Sequence, residues 1–354
     1  MPTLSAEKLK DFARRVFCGV EVPDNEAATV ADSLIKSNLS GHDSHGLIRV
    51  MQYVAALQDG RLKAGADLSI LSETPALVHA DANWGMGPVQ AHKLLDMLLP
   101  KARDLGVACG TLKHCGHIGR VGEYGEAAAA KGMGFVSTVN NHGFARAMAP
   151  PGGKVACLGT NPICLAVPTK GAPIVLDIGT SVCAEGKVRV SYNKKQPVPD
   201  GWLLDSEGRP TNDPGVLYHD PRGTILPLGG AQAYKGFGLG LLLDMLVAGL
   251  AGSPCSHPDG PNLSANAVFF LVIDVAKFAG GEHFLGEVTK LAETVKNCPR
   301  IEGVDEIVLP GEPEGKQRER RQRDGITLDE GTWSQLVNLA KTLGVEVPQA
   351  CRNA

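Results

Sequence analysis

The sequence predicts an α/β fold with helical segments at both chain ends and a strand-rich middle. Three observations lead there. Apolar residues recur at helical spacing behind capping residues before about Gly60. Between about Thr74 and Asp274, short β-prone runs alternate with glycine-rich turns, and helical spacing returns after about Gly280. No G-x-G-x-x-G lies between a strand and a helix, so a Rossmann sheet is not expected.

Taken in order, Ser5 can cap a helix to about Gly19, Asp24 one to about Ser40, and Ser44 one from Gly46 to about Asp59, stopped by Gly60. The strand-like runs are ALVHAD, ACGTLKH, FVSTVNN, ICLAVPT, PIVLDIG, KVRVSY and VFFLVID. Helices are expected at Pro88–Leu105, Val121–Lys131, Lys235–Leu250 and His283–Cys298, with a polar loop at Ser253–Asn262. The charged run GKQRERRQR reads as a solvated helix, and Asp329–Leu343 as the last one. The two ends are expected to form one discontinuous helical domain, 1–74 and 306–354, around an inserted domain at 75–305.

Bulk composition excludes several classes. A chain of 354 residues buries enough apolar surface to fold without disulfides or metal. A formal charge of −3 favours neither nucleic acid nor an anionic membrane. The N-terminus lacks the apolar core of a signal peptide, and the longest apolar stretch, Phe237–Ala251, is broken by Gly238, Gly240, Asp244 and Gly249. Nine cysteines, an odd number without C-x-x-C, read as free thiols. The expectation is a cytoplasmic protein with no membrane and no nucleic-acid partner.

Four clusters carry chemistry. The first is Gly41-His-Asp-Ser-His-Gly-Leu-Ile-Arg49 with Tyr53. If Ser44 caps the helix, His45, Arg49 and Tyr53 share one face. An imidazole, a carboxylate-matching guanidinium and a phenol then suit an α-substituted acid, or simply form a surface stripe. The second is His114-Cys-Gly-His117 after a strand, where His117 can be a general acid; a metal pair is the other reading, although the chelate spacing is poor. The third is Val175-Leu-Asp177-Ile-Gly-Thr-Ser181, where a carboxylate ends a core run and needs a partner, or caps its own turn. The fourth is Gly229–Gly238, with glycines and Lys235 ahead of a helix, which suits an anion or tight packing.

In order, G-H-D-S-H-G…R (41–49), H-I-G (117–119), G-T-N-P (159–162), D-I-G-T-S (177–181), A-x-G-K (184–187), G-W-x-x-D-x-x-G-x-P-T-x-D-P (201–214), K-G-F-G-L (235–239) and L-P-G-E (309–312) resemble the second malate/L-lactate dehydrogenase family. The resemblance implies a non-Rossmann α/β fold with a mixed or antiparallel sheet in the cofactor domain. It also implies a homodimer, and NAD- or NADP-dependent interconversion of 2-oxo and 2-hydroxy acids. Cyclic imino acids are the alternative substrate, and no metal is required. By the same resemblance, His117 is the acid/base oriented by Asp177, His45 shares proton transfer, and Arg49 with Tyr53 faces the substrate. The positions matching cofactor contacts are Gly119, Arg120, Val121, Asn141, Leu176, Ile178, Gly179, Thr180, Ser181, Tyr234, Lys235, Asn266, Pro310, Gly311 and Glu312. Two departures stand out. Ile178-Gly179 precedes Thr180-Ser181 where the family has A-T-S after the Asp, and Tyr234 replaces a His.

Overall fold

The protein is described here by a computed structural model covering residues 1–141, 146–257 and 265–349. Cys351 and part of the expected loop at 253–262 fall outside these residues.

The chain opens with strand β1 (Thr3–Leu4) and helix α1 (Ala6–Cys18), whose N-cap Ser5 accepts the Lys8 N–H. Helix α2 (Asp24–Leu39) begins one residue earlier than expected, so Asp24 sits in the first turn and Pro23 is the cap. Helix α3 is shorter than the sequence suggests, Arg49–Gln58, and a 3₁₀ turn at Asp43–His45 stands ahead of it. The cause is Asn38 on α2. Its Oδ1 accepts the Leu47 N–H at 2.9 Å and its Nδ2 donates to Asp43 at 2.6 Å, which pins the segment to α2 as a turn. Ser44 therefore caps no helix.

The middle of the chain supplies β2 (Ser69–Thr74), β3 (Leu77–Asp81), α4 (Gly87–Leu105), β4 (Val107–Gly116), α5 (Gly122–Ala129), β5 (Met133–Asn140), β6 (Ile163–Val167) and β7 (Ile174–Ile178). Then come α6 (Glu185–Asn193), the short strands β8 (Leu203–Leu204), β9 (Pro210–Thr211) and β10 (Thr224–Ile225), α7 (Tyr234–Ala251) and β11 (Ala265–Asp274). The C-terminal part holds α8 (Gly281–Lys296), α9 (Glu312–Asp324), β12 (Ile326–Thr327) and α10 (Glu330–Thr342).

The central sheet is mixed, in the order β2-β3-β4-β11-β5-β6-β7. Only β3 and β4 pair in parallel, joined by the crossover helix α4; the other pairs are antiparallel. Period-two alternation along β11 sends Val268, Phe270 and Val272 to the core under α4 and α5, and Ala267 and Phe269 to α7 on the opposite face. β8, β9 and β10 form a separate three-stranded sheet over a small core that includes Cys183, Val188 and Leu203.

A second large core unites the two chain ends. Leu9, Phe12, Leu34 and Val50 pack with Ile326, Leu336 and Ala340, and β1 pairs with β12. It also takes Met86 and Val89 from the start of α4. The expected break after residue 74 falls inside the β2–β3 hairpin, because Ser69–Thr74 is an edge strand of the central sheet.

The run KVRVSY, expected as a strand, lies in helix α6. Its apolar alternation meets no sheet edge, and only Val188 is buried. Glu185 sits in the first turn and pairs with Arg189 four residues on, which favours the helix. Helix α9 is not simply solvated. Glu314, Gln317, Arg318 and Arg321 face the segment Asn38–Asp43: Glu314 bonds His42, Gln317 lies against Gly41, Arg318 reaches Ser40, and Arg321 forks onto Asp43. The composition looked solvated because these partners lie far away in the chain.

Candidate active site

A cleft of about 1370 Å³ opens where the two large cores and the small sheet meet. The 3₁₀ turn and α3 contribute His42, His45, Arg49 and Gln52; the end of β4 and the start of α5 contribute His117, Gly119, Arg120 and Val121. Asn141, Asp177, Ile178, Gly179, Ser181 and Asn266 also line it, with Trp202 and Tyr218 on the outer wall.

His117 sits at the crossing. Its Nδ1 lies 2.8 Å from the buried Tyr53 hydroxyl and accepts the Gly119 N–H at 3.3 Å. The Gly119 N–H can only donate and so meets the ring when its proton is on Nε2; Tyr53, whose hydroxyl also reaches the His117 carbonyl at 3.3 Å, can instead accept from Nδ1–H, and in that tautomer the Nε2 lone pair is free for a reactant's proton. The ring stacks on His45, with centroids 5.5 Å apart, and the Nδ1 of His45 meets the Ser44 hydroxyl at 3.0 Å. Behind the ring, Gly87 allows α4 to start against the His117 carbonyl, which a Cβ there would approach to 2.2 Å.

Electrostatics favour neutral imidazoles. Burial, followed by the positive charge of Arg49, holds His117 well below the usual histidine range. The same causes, in the same order, bring His45 to about 3. Burial pushes the Tyr53 phenol up, so it stays a hydroxyl. Arg49 is held in place by its Nε donating to the Ser44 carbonyl at 2.7 Å and its Nη1 to Gln52 at 2.7 Å.

Several sequence expectations need correction. Asp177 does not orient His117. Its Oδ2 accepts the Gly122 N–H at 2.7 Å, capping the start of α5, and burial raises its pKa. The side chain that meets the His117 ring is Tyr53, buried with its hydroxyl at Nδ1. Asn266 lines the cleft with its side chain tied down: Oδ1 accepts from Ile118 N–H, and Nδ2 donates to Asn140 O and Asn141 Oδ1.

Other expected residues stand behind or outside the cleft wall. Thr180 is fully buried, its hydroxyl on the Thr160 carbonyl, and Leu176 alternates away from Asp177 on β7. Tyr234 and Lys235 lie on the exposed start of α7. Pro310 accepts the Val175 N–H on the outer edge of β7, Gly311 rests against Val175, and Glu312 pairs with Lys296. None of these seven lines the cleft.

The histidines do not assemble a metal site among the described residues. His42 bonds Glu314, whereas His114 bonds Asp81 and stacks on Trp84. Among the described residues, no group of three or more metal-ligating side chains is assembled. Asn38, Gln52 and Tyr218 were not singled out from the sequence, whereas Trp202 lies within the G-W-x-x-D run at 201–214.

Fold and cleft thus define a non-Rossmann α/β protein with a tyrosine-held histidine beside a fixed arginine. Residues 4–337 match the family model described as malate/L-lactate dehydrogenase. The chain is 34% identical over 345 residues to hydroxycarboxylate dehydrogenase B of Escherichia coli (strain K12), covering 96% of this chain and 94% of that one. Sulfolactate dehydrogenase from Methanocaldococcus jannaschii superposes with a TM-score of 0.87 at 33% identity, covering 97% and 98% of the two chains. Delta1-piperideine-2-carboxylate reductase from Pseudomonas syringae gives 0.83 at 28% identity, covering 96% and 100%. The chain belongs to the malate/L-lactate dehydrogenase family, and so is an oxidoreductase of the 2-hydroxy acid class.

Proposed function

We propose that the protein interconverts 2-hydroxy acids and 2-oxo acids with NAD or NADP, His117 serving as acid/base. The observation that carries the reading is the His117 ring, fixed through Nδ1 by Tyr53 and Gly119 with Arg49 nearby. A nicotinamide cofactor, when bound, supplies or accepts the hydride.

The cleft fits such a group. Arg49, Arg120, Arg146, Lys154, Lys187, Arg189 and Arg222 outnumber Asp43, Asp177 and Glu185 on its walls, although the chain as a whole is acidic. This local excess suits a pyrophosphate. Gly119, at φ +78°, and Gly179 keep the wall free of side chains next to Arg120 and Ser181. Gly119, Arg120, Val121, Asn141, Ile178, Gly179 and Ser181 are the residues we assign to holding the cofactor.

Arg49 binds the substrate carboxylate, for which a guanidinium offers two parallel donors. Neutral His117, with its own proton on Nδ1 and donated to the Tyr53 oxygen, takes the hydroxyl proton at Nε2 during oxidation and returns it during reduction. His45, stacked on His117 and also neutral, does not repel the resulting imidazolium. The test is a panel of malate, lactate, sulfolactate and a cyclic imino acid with each cofactor, followed by cofactor absorbance. Turnover of hydroxy acids with a single nicotinamide cofactor is expected; activity on the imine alone would move the protein to the second reading, which the reductase neighbour favours. No turnover of any of them would sink both.

The assembly proposed is a homodimer. Helix α7 presents Leu239, Leu242, Met245, Leu246 and Leu250 to solvent, and α8 adds Leu291 and Val295. A row of exposed apolar side chains such as that on α7 is characteristic of a protein interface. α7 is also long and apolar enough to cross a membrane, but its other side packs on the central sheet through Val247 and Ala251. We place the enzyme in the cytoplasm. Sedimentation should give twice the 37.2 kDa chain mass, and Leu242→Glu should bring it to one. A parent protein sedimenting as a single chain would refute the dimer.

A further inference from the structure

The buried side of α7 carries a carboxylate that the proposed reaction does not use. Asp244 is 1% exposed. Its Oδ2 accepts from Asn161 Nδ2 at 2.9 Å and from the Ser256 hydroxyl at 2.7 Å; its Oδ1 accepts from the Ser256 N–H at 3.1 Å and from Asn140 Nδ2 at 3.3 Å. Among the described residues, no lysine, arginine or histidine forms an ion pair with it. A buried carboxylate persists in such a place only when donors surround it, and bonds to an ionised acceptor are roughly twice as strong as neutral ones. The four donors are therefore held firmly.

From Asn140 the bonds continue toward the cleft. Asn140 O accepts from Asn266 Nδ2 at 2.8 Å, and Asn140 Oδ1 accepts the Ala267 N–H at 3.3 Å. Asn266 Oδ1 accepts the Ile118 N–H at 3.0 Å. The peptide so held directly follows His117. Strand β11 shifts register against β4 between Asn266 and Val268, and such an irregularity re-aims a side chain. Here Asn266 points at the loop beyond β4 instead of along the ladder. An apolar residue at 244 would fill α7 equally well, so packing alone does not explain the acid.

We propose that Asp244 is a positioning residue for His117, acting through Asn140 and Asn266 on the Ile118 peptide. The inference rests on His117 being the acid/base group. In Asp244→Asn the shape is kept, but an amide N–H₂ now faces donors, and the network loosens. Hydrogen exchange at the Ile118 amide is expected to quicken by about tenfold or more, the worth of one hydrogen bond. For hydroxy acid oxidation kcat should fall by roughly 10- to 100-fold, as small misplacements of a reacting group do. KM should change far less, since Arg49 lies off the network. Asn266→Ala should give the same pattern, and the double variant little further loss, because residues in one network are not additive. Ser256→Ala, which leaves Asp244 three of its four donors, supplies a milder variant should Asp244→Asn fail to fold; a smaller rise in Ile118 exchange is expected.

Unchanged Ile118 exchange in Asp244→Asn would overturn the proposal, as would losses that multiply in the double variant. A lower melting temperature with full kcat per folded molecule would also overturn it, by reducing Asp244 to a structural role. His117→Ala, assayed alongside, separates the two ideas. Full turnover in that variant removes the acid/base reading, whereas Ile118 exchange reports on the network independently of turnover.

Discussion

His117→Ala is expected to slow turnover of 2-hydroxy acids by about 10²- to 10⁴-fold, the usual worth of a positioned acid/base group. The loss should fall on kcat, because Arg49 and the cleft walls still bind the acid. The argument starts from Nδ1. Tyr53 holds that atom at 2.8 Å, as acceptor from Nδ1–H or as donor to Nδ1, so the ring cannot flip without abandoning this bond, and Nε2 stays aimed at the reactant. Burial and Arg49 keep the imidazole neutral, so the base form is already present before substrate arrives. The check is initial rates in both directions for the parent and the variant. A kcat equal to the parent's would take His117 out of the chemistry, and His45, its stacked neighbour, would be the next group to examine.

The sequence revealed more of the fold than of the wiring inside the site. Local signals worked where local physics decides. Ser5 caps α1 as its position suggests, a helix forms close to the expected Asp329–Leu343, and the run VFFLVID marks the strand at the centre of the sheet. KVRVSY misled because alternation specifies a strand only when a sheet edge is available to pair with it. The site residues were findable as types: His117, His45, Arg49 and Asp177 all line one cleft. Their partners were not. Tyr53 meets His117 across 64 positions, and Asn38 reshapes the turn that the spacing of His45, Arg49 and Tyr53 presented as one helix. The family resemblance assigned Asp177 to His117, and the strand-end position said only that the carboxylate needs a partner or caps a turn; the partner is the N–H of Gly122. Asp244 did leave a trace, as the one acid in the apolar run of α7, but that trace argued only against a membrane span.

Arg49 carries the second large effect. Truncating one member of a buried charge pair costs about 2–5 kcal/mol, so Arg49→Ala should lower kcat/KM for hydroxy acids by roughly 30- to several thousand-fold. Arg49→Lys should mainly raise KM, because the ammonium keeps the charge but loses the paired donors. The pH profile separates this role from simple packing. The free enzyme's His117 lies below its ordinary value, first by burial and then by the charge of Arg49. Oxidation needs the neutral ring, so kcat/KM should stay level through neutral pH and fall only on acidification past that lowered value. A bound carboxylate offsets the arginine, which raises the His117 value in the complex; kcat should therefore begin to fall at a higher pH than kcat/KM does. In Arg49→Ala the same charge is missing from the outset, and the acid limb of kcat/KM should move up toward that of kcat. In Arg49→Lys it should stay near the parent's position. An acid limb that does not move in the alanine variant would mean that Arg49 acts on the substrate alone, or that the titrating group is not His117.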